Sequence, residues 1–239
     1  MPGSVTFTNF VPCDVACAME TILTLSEDGS HTLFVPSLDE HYHSTRGAIQ
    51  ESLHVYIRAG FDQYTGRKVN LLEIGFGTGL NAFLTLLHAQ ETGKTVHYTT
   101  LEKYPLGMEQ VRELNYGNLI APNRKEVFME LHEAPWGEWV EMTPRFRLKK
   151  VRQDVTRLEE FQPDTRFDVI YFDAFAPEKQ PEMWTSDLFK RIHALSHPGA
   201  VLTTYCAKGA VRRTLQEIGY HVEKLPGPPG KREMLRATR

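Results

Sequence analysis

The stretch that decides the fold is "VNLLEIGFGTGLN", residues 69–81, where an apolar run leads into a loop with three closely spaced glycines. The run from Val69 has the composition of a short buried strand, and the residues from Leu80 have helical spacing. Glycine tolerates positive φ and lets a ligand come close to the backbone. A glycine loop between a strand and a helix is therefore typical of a ligand-binding turn.

Strands and helices alternate from this loop to the C-terminus. Further strands are predicted at 96–103, 146–154, 167–173 and 199–207, with a closing strand pair at 220–227 and 231–239. This alternation predicts an α/β fold with a doubly wound, mostly parallel sheet that ends in an antiparallel strand pair.

An extension precedes this α/β part. Residues 21–35 alternate around Asp28-Gly29, which predicts a β-hairpin. Residues 44–61 have helical spacing, with Ser44 or Thr45 as the expected N-cap. We therefore expect a hairpin-and-helix extension over residues 1–66 and the α/β domain over residues 67–239.

Composition limits the kinds of partner. The net charge of −3 means that a nucleic acid would be held by local basic patches only. Three cysteines form no even framework, and we find no secretory signal or membrane-spanning run, so a cytoplasmic protein is expected. Cys13 and Cys17 lack a second ligand pair, and so do His41 and His43, so no metal site is predicted.

Acidic residues end four of the predicted parallel strands. They are Glu73, Glu102, Asp154 and Asp173. Because ligands bind beyond the carboxyl ends of the strands in such sheets, we expect these four acids to face one crevice.

The acids indicate which ligand the loop holds. A dinucleotide fingerprint would need glycine at position 80, which is Leu80, and Glu73 would repel a pyrophosphate. S-adenosylmethionine (SAM) has no phosphate and carries an ammonium and a sulfonium. Glu102 is placed for the ribose hydroxyls, and Asp154 for the adenine amino group. The pattern predicts a class I SAM-dependent methyltransferase with a Rossmann-like fold. Its predicted cofactor-binding set also includes Gly75, Phe76, Gly77, Thr78, Gly79, Asn81, Lys103 and Asp173.

The stretch "DAFAP", residues 173–177, predicts where an amine would sit. It is similar in chemistry to the acid–proline–aromatic segment that cradles the amine in some amine methyltransferases. Asp173 would take a proton from the amine or orient it, Phe175 would offer a flat face, and Pro177 would stiffen the segment. The alternative is that Asp173 only caps the loop and Phe175 belongs to the core.

Seven motifs together carry a family resemblance. They are "YHS" (42–44), "ES" (51–52), "EIGFGTGLN" (73–81), "LEKYPL" (101–106), "FDAFAPEKQPEMW" (172–184), "GAVRRTLQEIGY" (209–220) and "KREML" (231–235). On these motifs the chain resembles the MnmC family, specifically its tRNA 5-methylaminomethyl-2-thiouridine methyltransferase domain. The resemblance implies that SAM methylates the aminomethyl nitrogen of 5-aminomethyl-2-thiouridine at the tRNA wobble position. It also implies that Asp173 lies beside the amine, and that Tyr42 and Ser44 lie near the methionine end of SAM.

The chain departs from the fused members of that family. Those proteins carry a flavin-dependent oxidase domain, whereas this chain ends soon after "KREML", so we expect a stand-alone methyltransferase without FAD. Its aminomethyl substrate would then come from other enzymes. A smaller departure is Ile74, where the fused proteins have serine.

Local basic patches would have to hold the tRNA. Arg145, Arg147 and Lys149 are predicted on one face of a strand, with Lys150 and Arg152 on the other. Lys208, Lys231 and Arg232 complete the predicted substrate-binding set, with Lys231 and Arg232 as the preferred phosphate ligands. Trp136 and Trp139 are expected to pack locally.

Other functions fit parts of the pattern. A polyamine aminopropyltransferase shares the fold, uses decarboxylated SAM and also ends its fourth strand on an acid. A protein that binds tRNA or SAM without chemistry, and a nicotinamide dehydrogenase, are the remaining alternatives.

Overall fold

The computed structural model describes residues 20–239. Its first part is a three-stranded antiparallel sheet of β1 (Ile22–Leu25), β2 (His31–Val35) and β3 (Glu40–His41). The predicted hairpin is confirmed: Gly29 has a φ of 81°, and Oδ1 of Asp28 accepts the Ser30 amide at 3.1 Å. Cys13 and Cys17, and the sequence predictions made for them, lie outside the described residues.

The predicted N-terminal helix is present, but it starts later than expected. Helix α1 (Ala48–Ser52) continues directly into a π-helical segment at Leu53–Arg58. Neither Ser44 nor Thr45 caps it, because Gly47 is the N-cap and lies packed against the Asp28 side chain. Oδ2 of Asp28 accepts the Gln50 amide at 3.0 Å, so the hairpin satisfies the start of the helix.

The second part is an eight-stranded sheet in the order β10-β11-β9-β8-β4-β5-β7-β6. Its strands are β4 (Lys68–Ile74), β5 (Thr95–Glu102), β6 (Trp139–Thr143), β7 (Phe146–Arg152), β8 (Phe167–Phe172), β9 (Ser196–Thr204), β10 (His221–Pro226) and β11 (Glu233–Thr238). The five central strands from β9 to β7 are parallel, and β10, β11 and β6 are antiparallel to their neighbours. The mostly parallel sheet and the closing antiparallel pair are therefore confirmed, whereas β6 was not predicted.

Helices cover the sheet. They are α2 (Leu80–Thr92), α3 (Met108–Glu113), α4 (Tyr116–Ile120), α5 (Lys125–Glu133), α6 (Ser186–Leu195) and α7 (Gly209–Ile218). Helix α6 begins after its N-cap Thr185 and ends before Ser196, which already belongs to β9. Within residues 20–239, every helix is too short or too polar to span a lipid bilayer.

The central strands are buried on both faces. On β8, Val169 and Tyr171 join the apolar cluster on one side of the sheet, while Ile170 and Phe172 join the cluster on the other side. Burial of each such side chain stabilises the folded chain by about 1.5–3 kcal/mol. The ends of the central strands are therefore held in fixed positions. The extension shares the first cluster through Leu33, Val55 and Tyr56, so the boundary at residue 66 stays a prediction.

The order of the strands places a ligand site. The chain places β5, β6 and β7 on one side of β4 and then returns to place β8 on its other side, so the strand order reverses at β4. In doubly wound sheets the crevice at such a switch point, beyond the carboxyl ends of the strands, is where ligands bind.

Candidate active site

A cavity of about 900 Å³ opens at the carboxyl ends of β4, β5 and β8. The segment between β3 and α1 and the loop after β8 cover it. Most of the predicted site residues line it: Tyr42, Ser44, Gly75, Phe76, Gly77, Thr78, Glu102, Lys103, Asp154, Asp173, Phe175 and Lys231. The predicted residues therefore surround one cavity, and their roles in binding stay predictions.

The glycine loop needs its glycines because its neighbours come close. A Cβ on Gly75 would lie 2.8 Å from the carbonyl oxygen of Asp173, and one on Gly77 would lie 3.0 Å from the Tyr42 ring. Gly79, whose Cβ would lie 2.5 Å from the ring of His132, does not line the cavity. All three have positive φ, so a side chain would be strained as well as crowded.

Glu102 holds the loop from the end of β5. Its Oε2 accepts the Gly77 amide at 3.0 Å, and its Oε1 accepts the Tyr104 amide at 2.7 Å. Each carboxylate oxygen has a second lone pair, so Glu102 remains able to accept further hydrogen bonds from a ligand.

Asp154 lies on the same wall and is held in place locally. Its Oδ1 accepts the Thr156 amide at 3.0 Å, and its Oδ2 is 2.8 Å from the Lys103 ammonium. Burial alone would raise the pKa of Asp154, but the bonds from Lys103 and Thr156 lower it. Asp154 is therefore ionised at neutral pH, as a loop cap that also faces the cavity.

Asp173 extends from the end of β8 with both carboxylate oxygens engaged. The Tyr56 hydroxyl donates to Oδ1 at 2.6 Å, and the Asn81 side chain donates to Oδ2 at 2.8 Å. Burial raises the pKa of Asp173, while His43 and the two hydrogen bonds offset part of that rise. Asp173 is therefore a stronger base than an ordinary aspartate, and it lines the cavity.

Glu73 does not face the crevice, so the prediction was wrong about its position. β4 is covered on both faces, and the Glu73 side chain is fully buried beneath the loop, away from the cavity wall. Neither carboxyl oxygen has a hydrogen-bonding partner in the described part of the chain, and burial raises the pKa of Glu73 well above its usual range. Three of the four acids share the cavity, and Glu73 lies buried below it. Asn81 also lies off the cavity wall, behind Asp173.

The loop after β8 begins with the "DAFAP" segment, residues 173–177, which forms a ledge beside the cavity. Phe175 lines the cavity and contacts Tyr42 edge-on, with ring centroids 5.1 Å apart, so it is not simply a core residue. The Trp184 indole donates to the Phe175 carbonyl, and the Tyr205 hydroxyl donates to the Ala174 carbonyl, each at 2.8 Å. These bonds hold the ledge in place.

A second cleft of about 320 Å³ adjoins the ledge. Pro177, Lys208 and Arg232 line this cleft and not the main cavity. Lys208 forms an ion pair with Glu178. Lys231 lines both clefts and so connects them.

Several site residues were not predicted. Glu51 is buried and lines the cavity, with Oε1 2.5 Å from the Lys231 ammonium and Oε2 accepting the Ser44 amide at 2.8 Å. His43 shares a 2.8 Å hydrogen bond with the Thr78 hydroxyl. Glu51 and His43 fall within the "ES" and "YHS" motifs, but neither residue was given a role in the site, and no sequence signal pointed to Tyr56.

Lys150 is not on a basic surface, contrary to the strand-face prediction. Its side chain is fully buried, its ammonium donates to the His132 carbonyl at 2.5 Å, and it lies 4.8 Å from the centre of the Trp136 ring. Burial lowers the pKa of Lys150 to about 8 and that of His132 to about 3. The neutral His132 ring donates to the Thr78 carbonyl at 3.1 Å, so this cluster supports the glycine loop from behind.

No metal centre is found in the part of the chain that the structure covers. Within residues 20–239, no group of three or more His, Cys, Asp or Glu side chains is arranged to hold a metal ion.

Comparison with known proteins gives consistent sequence matches. The profile of a family described as "S-adenosyl-L-methionine-dependent methyltransferase" matches residues 125–239. The tRNA 5-methylaminomethyl-2-thiouridine biosynthesis bifunctional protein MnmC of Marinomonas sp. (strain MWYL1) is 32% identical over 229 residues, covering 89% of this chain and 33% of that protein. MnmC of Pseudomonas putida (strain GB-1) is 34% identical over 214 residues, which cover 82% of this chain and 32% of that protein. The chain thus spans about a third of the length of the curated relatives it matches.

Solved structures agree with the sequence matches. MNMC2 from Aquifex aeolicus superposes with a TM-score of 0.77 at 26% identity, covering 93% of this chain and 71% of that one. Spermidine synthase from Thermotoga maritima has a TM-score of 0.54 at 14% identity, and the match covers 91% of this chain and 72% of that one. At this identity the match shows only that the two proteins share a fold.

Proposed function

Because the chain belongs to the SAM-dependent methyltransferase family that includes the methyltransferase part of MnmC, we propose that it methylates a tRNA wobble base. The proposed acceptor is the aminomethyl nitrogen of 5-aminomethyl-2-thiouridine, and the product is 5-methylaminomethyl-2-thiouridine. The observation that carries the proposal is Asp173, a buried, doubly hydrogen-bonded carboxylate of raised pKa on the wall of the cavity.

The cavity fits SAM in size and in charge. About 900 Å³ is at the upper end of the range for small-molecule sites, which leaves room for a nucleoside-sized donor beside a base. Carboxylates line it, and a cation without phosphate suits such a wall. Glu102 would hold the ribose hydroxyls, Asp154 would face the adenine end, and Tyr42 and Ser44 would lie toward the methionine end.

The chemistry needs an amine with a free lone pair. When bound, SAM supplies a methyl group on a sulfonium that a nucleophile can displace. An alkylammonium has no lone pair, so Asp173 takes one proton from it and leaves a neutral amine. With SAM bound, the nitrogen lone pair would form the N–C bond, and the electron pair of the C–S bond would remain on sulfur. The proton on Asp173 afterwards passes to water.

The residues around Asp173 orient this step. Tyr56 and Asn81 each donate to one carboxylate oxygen, so the remaining lone pairs of Asp173 keep a fixed direction. Phe175 gives the base or the cationic nitrogen a flat surface. General-base assistance of this kind contributes about 10²- to 10⁴-fold in rate.

The tRNA would lie across the ledge and the second cleft. Arg232 and Lys208 line that cleft and are proposed to contact phosphates next to the modified base. The precursor would come from other enzymes of wobble-uridine modification, and a cytoplasmic location would give access to tRNA. That the chain acts without FAD stays a prediction.

Product analysis tests the proposal. The purified chain is incubated with SAM and tRNA that carries 5-aminomethyl-2-thiouridine, and the digested nucleosides are analysed by mass spectrometry. We expect conversion to the monomethylated nucleoside. In parallel, decarboxylated SAM with a polyamine tests the aminopropyltransferase alternative. Polyamine product without methylated nucleoside would replace the proposed function by that alternative.

A further inference from the structure

The Glu51–Lys231 ion pair joins three distant segments at the acceptor end of the cavity. Glu51 lies in α1, and Lys231 lies in the loop between β10 and β11, with 2.5 Å between the carboxylate and the ammonium. The Lys231 ammonium is also 3.8 Å from the centre of the Tyr205 ring, just after β9. The Glu51 side chain is only 6% exposed, so this carboxylate depends on its counter-ion.

Both members of the pair reach the surroundings of Asp173. Glu51 stands five positions before Tyr56 in the same helical segment, and Tyr56 donates to Asp173. Lys231 rests on Tyr205, whose hydroxyl holds the carbonyl of Ala174, the residue after Asp173.

We propose that the Glu51–Lys231 ion pair is a positioning element that keeps Asp173 a base of the right strength. The pair cancels the charge of Glu51 while keeping a carboxylate beside Asp173, so neither an unpaired cation nor a second unpaired anion faces the substrate amine. This inference rests on the proposed function, because it assigns the pair to the methyl acceptor. Lys231 is then a counter-ion first, and not the phosphate ligand that the sequence suggested.

The charges around Asp173 support this assignment. Burial is the main cause of the raised pKa of Asp173, and the negative charge of Glu51 adds to it. The other titratable or charged groups that face Asp173 or line its end of the cavity are His43, Tyr56, Glu73, Tyr98, Tyr205, Glu40 and Lys231. Removing one partner of the pair changes the local charge by one and leaves the remaining groups in place.

The test compares three variants with the wild-type chain. Glu51→Gln leaves Lys231 unbalanced, so Asp173 should titrate at lower pH and kcat/KM for methyl transfer should fall about tenfold at neutral pH. Lys231→Met leaves Glu51 unbalanced, so Asp173 should titrate at higher pH. The double variant should return close to the wild-type titration and recover most of the activity.

Carboxyl ¹³C NMR measures the titration of Asp173 directly, with the signal assigned by its loss in Asp173→Asn. Glu223→Gln, which removes the Glu223–Arg236 ion pair on β10 and β11, is the matched control and should leave Asp173 unchanged. An Asp173 titration that is identical in all variants would overturn the inference. So would a double variant no better than Glu51→Gln, because a merely structural pair gives no rescue.

The NMR readout needs no turnover, so the two proposals fail separately. A wild-type chain that binds SAM but does not methylate the aminomethyl nucleoside ends the proposed function, while the effect of the pair on Asp173 is still measured. If Glu51→Gln does not fold, Lys231→Met against Lys231→Arg gives the same comparison. The Arg variant should then keep the wild-type titration.

Discussion

The hydroxyl of Tyr56 donates a 2.6 Å hydrogen bond to Oδ1 of Asp173, although the two residues are 117 positions apart in the chain. Tyr56 belongs to a π-helical segment, a form that is rare and concentrated at functional sites. This bond fastens the N-terminal extension to the end of β8. The extension therefore completes the site as well as covering it.

Tyr56→Phe should slow methyl transfer about tenfold or more, because a hydrogen bond to a charged group contributes about 1.5–3 kcal/mol. SAM affinity should change little. Single-turnover rates and calorimetry separate the two effects. Tyr220→Phe is the matched control, since Tyr220 is also buried but its hydroxyl has no hydrogen-bonding partner within residues 20–239 and lines neither cleft. An equal loss of methyl-transfer rate in Tyr56→Phe and Tyr220→Phe would contradict a specific role for Tyr56.

Glu73→Gln should stabilise the fold, and more so as pH rises. Burial raises the pKa of Glu73 in the folded state, so the folded chain keeps a proton that the unfolded chain releases. The stability of the wild-type chain therefore falls as pH rises from the unfolded pKa toward the folded one. Thermal unfolding at pH 5 and pH 8 should show a larger gain in Tm for the variant at pH 8. A gain that is the same at both pH values would mean that Glu73 is not protonated in the folded chain.

Glu102→Ala should weaken SAM binding about 100-fold, because the ribose loses its acceptors and Gly77 loses its anchor. The rate of methyl transfer from the bound state should change less. Isothermal calorimetry with SAM measures the affinity, and Glu141→Ala, an exposed position on β6, is the control. Unchanged SAM affinity would remove Glu102 from the site.

If Arg232 contacts a phosphate, Arg232→Ala should weaken tRNA binding. It should also reduce by about one the slope of the logarithm of the tRNA-binding constant against the logarithm of the salt concentration. Because Lys231 is already paired with Glu51, Arg232 is the clearer probe of the two. Lys125→Ala, at an exposed position on α5, should leave the slope unchanged. A slope that Arg232→Ala does not alter would move the phosphate contact elsewhere.

Local patterns explain what the sequence predicted correctly. Three short features were predicted from their residue types: the glycine loop, the acids at strand ends and the "DAFAP" ledge. All three contribute residues to one cavity. Glu102, Asp154 and Asp173 all line that cavity, and their roles in ligand binding stay predictions.

Long-range packing explains what the sequence did not predict. Glu51 meets Lys231 only because α1 lies beside the loop between β10 and β11, and sequence spacing cannot predict that contact. Lys150 was assigned to a basic surface because alternation of charge does not show that β7 is covered on the side where α5 packs. Glu73 was misplaced because a strand end buried on both faces was treated as open.

The central claim is that Asp173 removes a proton from an amine beside bound SAM. Its most direct test is the single-turnover rate of methyl transfer to 5-aminomethyl-2-thiouridine in an anticodon stem-loop, for the wild-type chain and for Asp173→Asn, both saturated with SAM. Asparagine keeps the size of the side chain but cannot accept the proton. We expect SAM to bind both proteins and the variant to transfer the methyl group about 10²- to 10⁴-fold more slowly. Equal rates in the two proteins would contradict the account.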